Sequence, residues 1–147
     1  ECHEAAVLMK TGAQKLGDVP RDVFELKKKS LSENLRKRAE HFFGEVERVW
    51  LGKQAWAESD AVRFGQLMNQ SCESSIKNYE SGSEVLIQLH EIASSTSGVY
   101  GSRFSGGGYG GCVVALAKRD EAEKACAEIA EKFLVLHPDL PSNVFVA

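Results

Sequence analysis

"VYGSRFSGGGYGGCVVALAK", Val99 to Lys118, holds two short extended patterns on either side of a glycine run. "VYGSRFS" alternates weakly in polarity and reads as a strand. "GCVVALAK" is apolar and β-branched and reads as a buried strand, so the run between them makes a hairpin connection. Five of the seven residues from Ser105 to Gly111 are glycine. Two strands can be joined with one or two. Glycine tolerates positive φ, so successive N–H groups can turn toward one centre and form a concave anion-binding nest. Arg103, two residues before the run, adds a positive donor. The run is no Walker A sequence, because no Gly-Lys-Ser/Thr follows, and no Rossmann fingerprint, because it leads into a strand rather than a helix. From spacing alone, a purely structural glycine hairpin beside a surface arginine stands equal to a phosphate site.

Working outward, Ser81 and Glu84 form a capping box ahead of a helix with Val85, Leu86, Leu89, Ile92 and Ala93 inward. On the far side, Asp120 and Glu123 are read as caps of a helix carrying Ala122, Cys126, Ile129, Phe133 and Leu136 on one face. "HPDLPS" breaks it, and "NVFVA" is expected as a last strand. Helix, strand, strand, helix, strand is a split βαβ, ferredoxin-like unit without its first strand, which is expected upstream of Glu1. The fold class is α+β, with 1–147 as a single domain, 1–80 helical and 81–147 forming the αββαβ part.

In the helical part, Ala5, Ala6, Met9, Ala13 and Leu16 recur at helical intervals, with Gly17 as a stop. Pro20 suits the start of a short second helix. Ser30 and Glu33 fit a capping box for the longest helix, whose apolar face is Leu31, Leu35, Ala39, Phe42, Phe43, Val46, Val49 and Trp50. A helix from about Asp60 to Ile76, with Ala61, Phe64, Leu67, Met68 and Cys72 inward, lies antiparallel to it. The runs "FELKKKS" and "LRKRAEH", the latter with Arg36, Lys37 and Arg38, read as solvated helix faces.

The net charge is −3 over 147 residues. That argues against nucleic acid or an anionic membrane as the main partner. Cys2, Cys72, Cys112 and Cys126 have no CxxC spacing and read as reduced thiols of a cytoplasmic protein, with Cys112 and Cys126 in apolar surroundings. His3, His41, His90 and His137 have no metal spacing, so no metal site is expected.

"GVYGSRFSGGGYGGCVVAL" resembles the third signature motif of the GHMP small-molecule kinases, in the galactokinase branch. "FGQLMNQSCESSIKNYE" resembles that family's Phe-Gly-x-Leu-Met helix, "RAEHFFGEVERV" the helix before it, and "ECHEAA" the segment just past a galactokinase's midpoint. The resemblance runs in order from Glu1 to the C-terminus. "SSIKNYESGSEVLIQLHEI" is most similar to the galacturonokinase-like members. A typical galactokinase has Asp-Tyr-Glu with a downstream Cys-Pro at this point, where this chain has Asn78 to Glu84.

The resemblance implies the C-terminal lobe of an ATP- and Mg²⁺-dependent sugar 1-kinase, acting on galacturonate first and galactose next. It implies that Ser105, Gly106, Gly107, Gly108 and Gly110 line an inter-lobe cleft through backbone contacts, with Arg103 supporting the loop or the phosphates. Tyr79 and Glu80 are lesser candidates, set against a packed aromatic and a solvated acid. No catalytic residue is expected in this chain. The N-terminal lobe, the partner implied, would carry the phosphate-binding loop, a catalytic Asp and a basic residue, so the chain alone would be inactive and bind no cofactor. A stand-alone ferredoxin-like ligand-binding module and a purely structural domain are the alternatives. The unpaired sheet edge left by the first strand is expected to favour self-association.

Overall fold

The computed structural model describes residues 1–147. Six α-helices and two strands run in the order α1 (Cys2–Met9), α2 (Arg21–Lys27), α3 (Glu33–Ala57), α4 (Ala61–Lys77), α5 (Glu84–Ser95), β1 (Val99–Ser105), β2 (Cys112–Ala117) and α6 (Ala122–Leu136), with single 3-10 turns at Leu16–Asp18 and Lys28–Ser30. No helix is long and apolar enough to cross a membrane.

The first core lies among α1, α2 and the front half of α3. Ala5, Ala6, Met9, Ala13, Leu16, Val19, Phe24, Leu35, Ala39 and Phe43 form one buried cluster. The rings of Phe24 and Phe43 stack at 4.2 Å. All five apolar positions spaced along the first segment are buried as expected, but they do not share one helix. α1 ends at Met9, and Gly12 takes the left-handed turn at φ +83°. The chain then folds back so that Ala13 and Leu16 reach the same core.

The apolar face of α3 is covered only along its first half. Val46, Val49 and Trp50, expected inward, are 43%, 69% and 63% exposed. Beyond Phe43 the buried positions of α3 are Gly52 and Ala55, which belong to a different stripe. On it, Gly52 meets the Phe64 ring of α4. The helix is amphipathic throughout, but α1 and α2 are too short to follow it.

The second core joins α4, α5 and the hairpin. Cys72, Leu86 and Phe104 are its buried centre, with Ile76, Ile87, Leu89 and Val113 packed around them. β1 and β2 pair antiparallel, with Arg103 opposite Val114 and Ser105 opposite Cys112. They are the whole sheet. The expected terminal strand "NVFVA" does not form: residues 141–147 carry no regular structure. A strand exists only through the neighbour it bonds, and no strand edge lies against this segment. The order is therefore helix, strand, strand, helix.

Helix starts also moved. The N-cap of α3 is Ser32, while the Ser30 hydroxyl bonds the Lys27 carbonyl. The N-cap of α5 is Ser83, whose hydroxyl accepts from the Leu86 N–H, and Ser81 instead bonds the Ser75 carbonyl. α6 begins after Glu121, with no side-chain cap. Capping spacing marks a helix start to within a residue or two, and the preceding turn selects which hydroxyl faces the open amides. All four cysteines are free, and Cys112 is exposed rather than set in apolar surroundings, because it ends β2 at the loop. Leu136, expected inward on α6, is 50% exposed in the helix's last turn.

Candidate functional site

The hairpin loop is the product of two local demands. β1 must end and reverse, and the reversal is made in left-handed backbone. Gly106, Gly108, Gly110 and Gly111 have φ of +102°, +84°, +156° and +98°, whereas Gly107 and Tyr109 do not have positive φ. From Gly106 to Tyr109 the hand therefore alternates, which is the geometry of an amide nest. None of the N–H groups from Gly106 to Gly111 donates to an acceptor within the chain. Gly106, Gly107 and Gly110 have no neighbour where a side chain would begin, so the tip is open to an approaching group.

Gly108 is different. It is buried, and a Cβ there would sit 2.9 Å from both the Gly82 Cα and the Phe104 ring. Its carbonyl accepts a 2.6 Å bond from the Ser83 N–H. Tyr109 donates its hydroxyl to the Glu80 carbonyl at 3.1 Å. The loop is thus moored on its inner side to the α4–α5 turn, and its outer side faces solvent.

That turn contains the two lesser candidates. The Tyr79 ring packs against His41 at 5.0 Å and under the Arg38 guanidinium at 5.8 Å. Glu80 is no free acid. Its carboxylate takes Arg38 Nη2 at 2.7 Å and Lys37 Nζ at 3.3 Å. The Arg38 hydrogen bond, reinforced by Lys37, holds its carboxyl below the usual range. Tyr79 and Glu80 therefore lie beside the loop without presenting a free carboxylate to it.

Arg103 lies mid-strand on β1, half-buried, with no acidic partner in the chain. Burial pushes the His41 imidazole down, and the Arg48 and Arg103 charges act in the same direction. Burial pushes the Cys72 thiol up, against a pull from the Phe104 backbone and Arg103. Ser105 closes β1 and is exposed.

Sequence reading missed Arg38 and Asn69. Arg38 was placed on a solvated face, yet it is 8% exposed. Its spacing from Leu35 and Phe42 follows the helical repeat and could have marked it as inward. Asn69 on α4 accepts the Ser102 N–H at 2.8 Å, holding the free side of β1. Ser102 in turn bonds His90 Nδ1 at 2.7 Å. No signal in the sequence pairs these residues.

Two clefts of the surface lie elsewhere. One of about 320 Å³ between α3 and α4 is lined entirely by polar residues, among them Glu40, Arg48, Glu73 and Lys77. Another of about 600 Å³ lies between α6 and the C-terminal segment. The glycine loop borders neither of these two. No three His, Cys, Asp or Glu side chains converge to hold a metal ion.

The chain matches the family model described as "GHMP kinases C terminal" over residues 53–135. It is 40% identical to the galacturonokinase of Arabidopsis thaliana over 98% of this chain and 35% of that protein. It is 35% identical to the galactokinase of Bos taurus over 90% of this chain and 33% of that protein. The chain therefore spans about a third of the length of these curated relatives. Among solved structures, the galactokinase of Lactococcus lactis, complexed with galactose, aligns at a TM-score of 0.83 and 26% identity, over 97% of this chain and 38% of that one. The matched model covers the C-terminal part of α3, both strands, the glycine loop and nearly all of α6, and the chain belongs to the GHMP kinase family as a C-terminal domain.

Proposed function

We propose that this chain serves as the C-terminal lobe of a sugar 1-kinase that transfers the γ-phosphoryl group of ATP to the anomeric hydroxyl of a uronic acid or hexose, galacturonate before galactose. The observation that carries the reading is the row of unspent N–H groups from Gly106 to Gly111, open to approach at Gly106, Gly107 and Gly110. Phosphoryl transfer asks a protein chiefly to position two substrates and to stabilise charge spread over phosphate oxygens. Backbone donors held before substrate arrives supply both without reorganising at the moment of reaction. Gly106 and Gly107 are the donors with the freest approach, and Arg103 adds an unpaired positive charge on the strand leading into the loop.

Glu80 is tied up by Arg38 and Lys37 and is not assigned as a general base. The proton of the sugar hydroxyl is therefore assigned to a residue of an N-terminal lobe, the proposed partner across the loop. The Mg²⁺ of the reaction is likewise assigned to the ATP-bound full-length enzyme, as the family resemblance implies. The 147 residues alone are expected to be inactive. A cytoplasmic location, where ATP and reduced thiols coexist, fits this role. Galacturonate is favoured over galactose because the higher identity is to a galacturonokinase. The outer edge of β2 has no strand neighbour. An isolated 147-residue chain is accordingly expected to self-associate through that edge.

The test is a coupled ATPase assay on the full-length protein with Mg²⁺ and galacturonate, galactose and glucose, with the product identified by phosphorus NMR. A 1-phosphate formed fastest from galacturonate is the expected result. No phosphorylation of any sugar overturns the reading. Tight nucleotide or sugar-phosphate binding by the isolated 147 residues, measured by calorimetry, favours a stand-alone binding module instead.

A further inference from the structure

We propose that Arg38 is a positioning residue for the glycine loop, acting through Glu80 and Tyr109; this rests on the reading of that loop as the substrate-phosphate site. Arg38 sits on α3 and does not touch the loop. Each of its three guanidinium nitrogens has one acceptor: Nε donates to Glu1 Oε2 at 2.7 Å, Nη1 to the Asn78 carbonyl at 2.6 Å, and Nη2 to Glu80 Oε2 at 2.7 Å. Two of those acceptors flank Tyr79, so one planar fork grips the α4–α5 turn on both sides of that ring.

The turn needs such a grip. Glu80 is a non-glycine residue in the left-handed region, at φ +56°. Side chains at that angle are strained and persist only where surrounding contacts over-determine them. Arg38 is the principal contact on the Glu80 side chain, and Lys37 is a longer second.

The other side of the same turn carries the loop. The Glu80 carbonyl accepts the Tyr109 hydroxyl, the Ser83 N–H donates to the Gly108 carbonyl, and the Gly82 and Gly108 backbones meet without side chains between them. These are the only hydrogen bonds the tip makes, since its own N–H groups are unspent. The place of the nest in space is therefore held by the turn, and Arg38 grips that turn from α3 while the Tyr79 and Ser81 N–H groups tie it back to the end of α4. Lysine cannot substitute, because an ammonium has no fixed fork to span two acceptors.

The experiment uses the full-length protein labelled with ¹⁵N-glycine and three variants, Arg38→Lys, Tyr109→Phe and the double substitution. Arg36→Lys, an exposed neighbour paired with Glu40, is the control. Arg38→Lys is expected to shift and mobilise the amide resonances of Gly106 to Gly111, and Arg36→Lys to leave them in place. In the sugar-kinase assay, Arg38→Lys is expected to raise KM for ATP about threefold to tenfold with kcat within about twofold. The double variant should be no worse than the stronger single one, because both break the same relay. Unmoved loop resonances in Arg38→Lys, or additive effects in the double variant, overturn the proposal. Should Arg38→Lys fail to fold, Glu80→Asn is read in the same way, since it tolerates the left-handed angle and keeps the carbonyl while removing the carboxylate. A wild-type protein that phosphorylates no sugar defeats the kinase reading, and the glycine resonances still decide this one.

Discussion

Gly101 on β1 and Gly65 on α4 meet backbone to backbone: a Cβ on Gly101 would clash with the Gly65 carbonyl oxygen, and one on Gly65 would run into the Tyr100 backbone. This contact seats the helix against the free side of the strand that leads into the glycine loop. Neither obstacle is a flexible side chain, so neither can give way. Gly101→Ala and Gly65→Ala are each expected to lower stability by at least about 3 kcal/mol, through overpacking that only a backbone shift can relieve. Urea denaturation of the two variants beside wild type checks this. A loss under about 1 kcal/mol would show that helix and strand can part without consequence.

Gly106 and Gly107 are neighbours with the same open surroundings and opposite backbone hand. Gly106 has φ +102°, and Gly107 is not in the positive-φ region. Gly107→Ala is expected to leave stability within about 0.5 kcal/mol of wild type. Gly106→Ala should cost about 1–2 kcal/mol, because an L side chain is strained at that angle whatever space surrounds it. Equal thermal midpoints for the two variants would mean that the loop does not hold this backbone.

Glu80 gives a pH signature. Its folded carboxyl is depressed by the Arg38 hydrogen bond and by Lys37. A depressed acid contributes stability above its unfolded value, about 4.3, and loses it as the pH falls through the folded value. Wild type is therefore expected to exceed Glu80→Gln in stability at pH 7, with the gap closing as the pH is lowered below about 4. A gap that stays constant from pH 7 to pH 3 would separate the carboxylate from the ion pair.

His90 works from the opposite sign of charge at a higher pH. Burial pushes its imidazole down, and Ser102 bonds its Nδ1 at 2.7 Å. The unfolded chain then takes up a proton before the folded one, so stability is complete above about pH 6.5 and falls as the pH drops through that value. His41 shares the direction. His90→Asn should flatten part of the decline in melting temperature between pH 7.5 and 5. Ser102→Ala leaves a buried ring nitrogen unpaired and should cost about 1–3 kcal/mol at neutral pH. A wild-type melting temperature independent of pH across that interval would contradict the histidine prediction, and a Ser102→Ala loss under about 0.5 kcal/mol at neutral pH would contradict the hydrogen-bond one.

The hairpin, the six helices and the glycine character of the loop were legible in the chain because each is a local property. Period and propensity act over a few residues, and only glycine accepts the hand that Gly106 and Gly108 adopt. Arg38 was not legible in the same way. It lies in a run of three basic residues, and although its helical spacing from Leu35 puts it on the inward side, only the approach of the α4–α5 turn supplies the acceptors at Asn78 and Glu80. The exposure of Val46, Val49 and Trp50 and the missing last strand have the same origin. An amphipathic face or an extended segment states what a residue could bury or bond, and whether it does so depends on the arrival of a neighbour distant in the chain. The order of the six helices and the hairpin, and the glycine run that joins its strands, were thus determined by sequence, whereas the mooring of the loop to Glu80 and Ser83, across nearly thirty residues, was decided by tertiary packing alone.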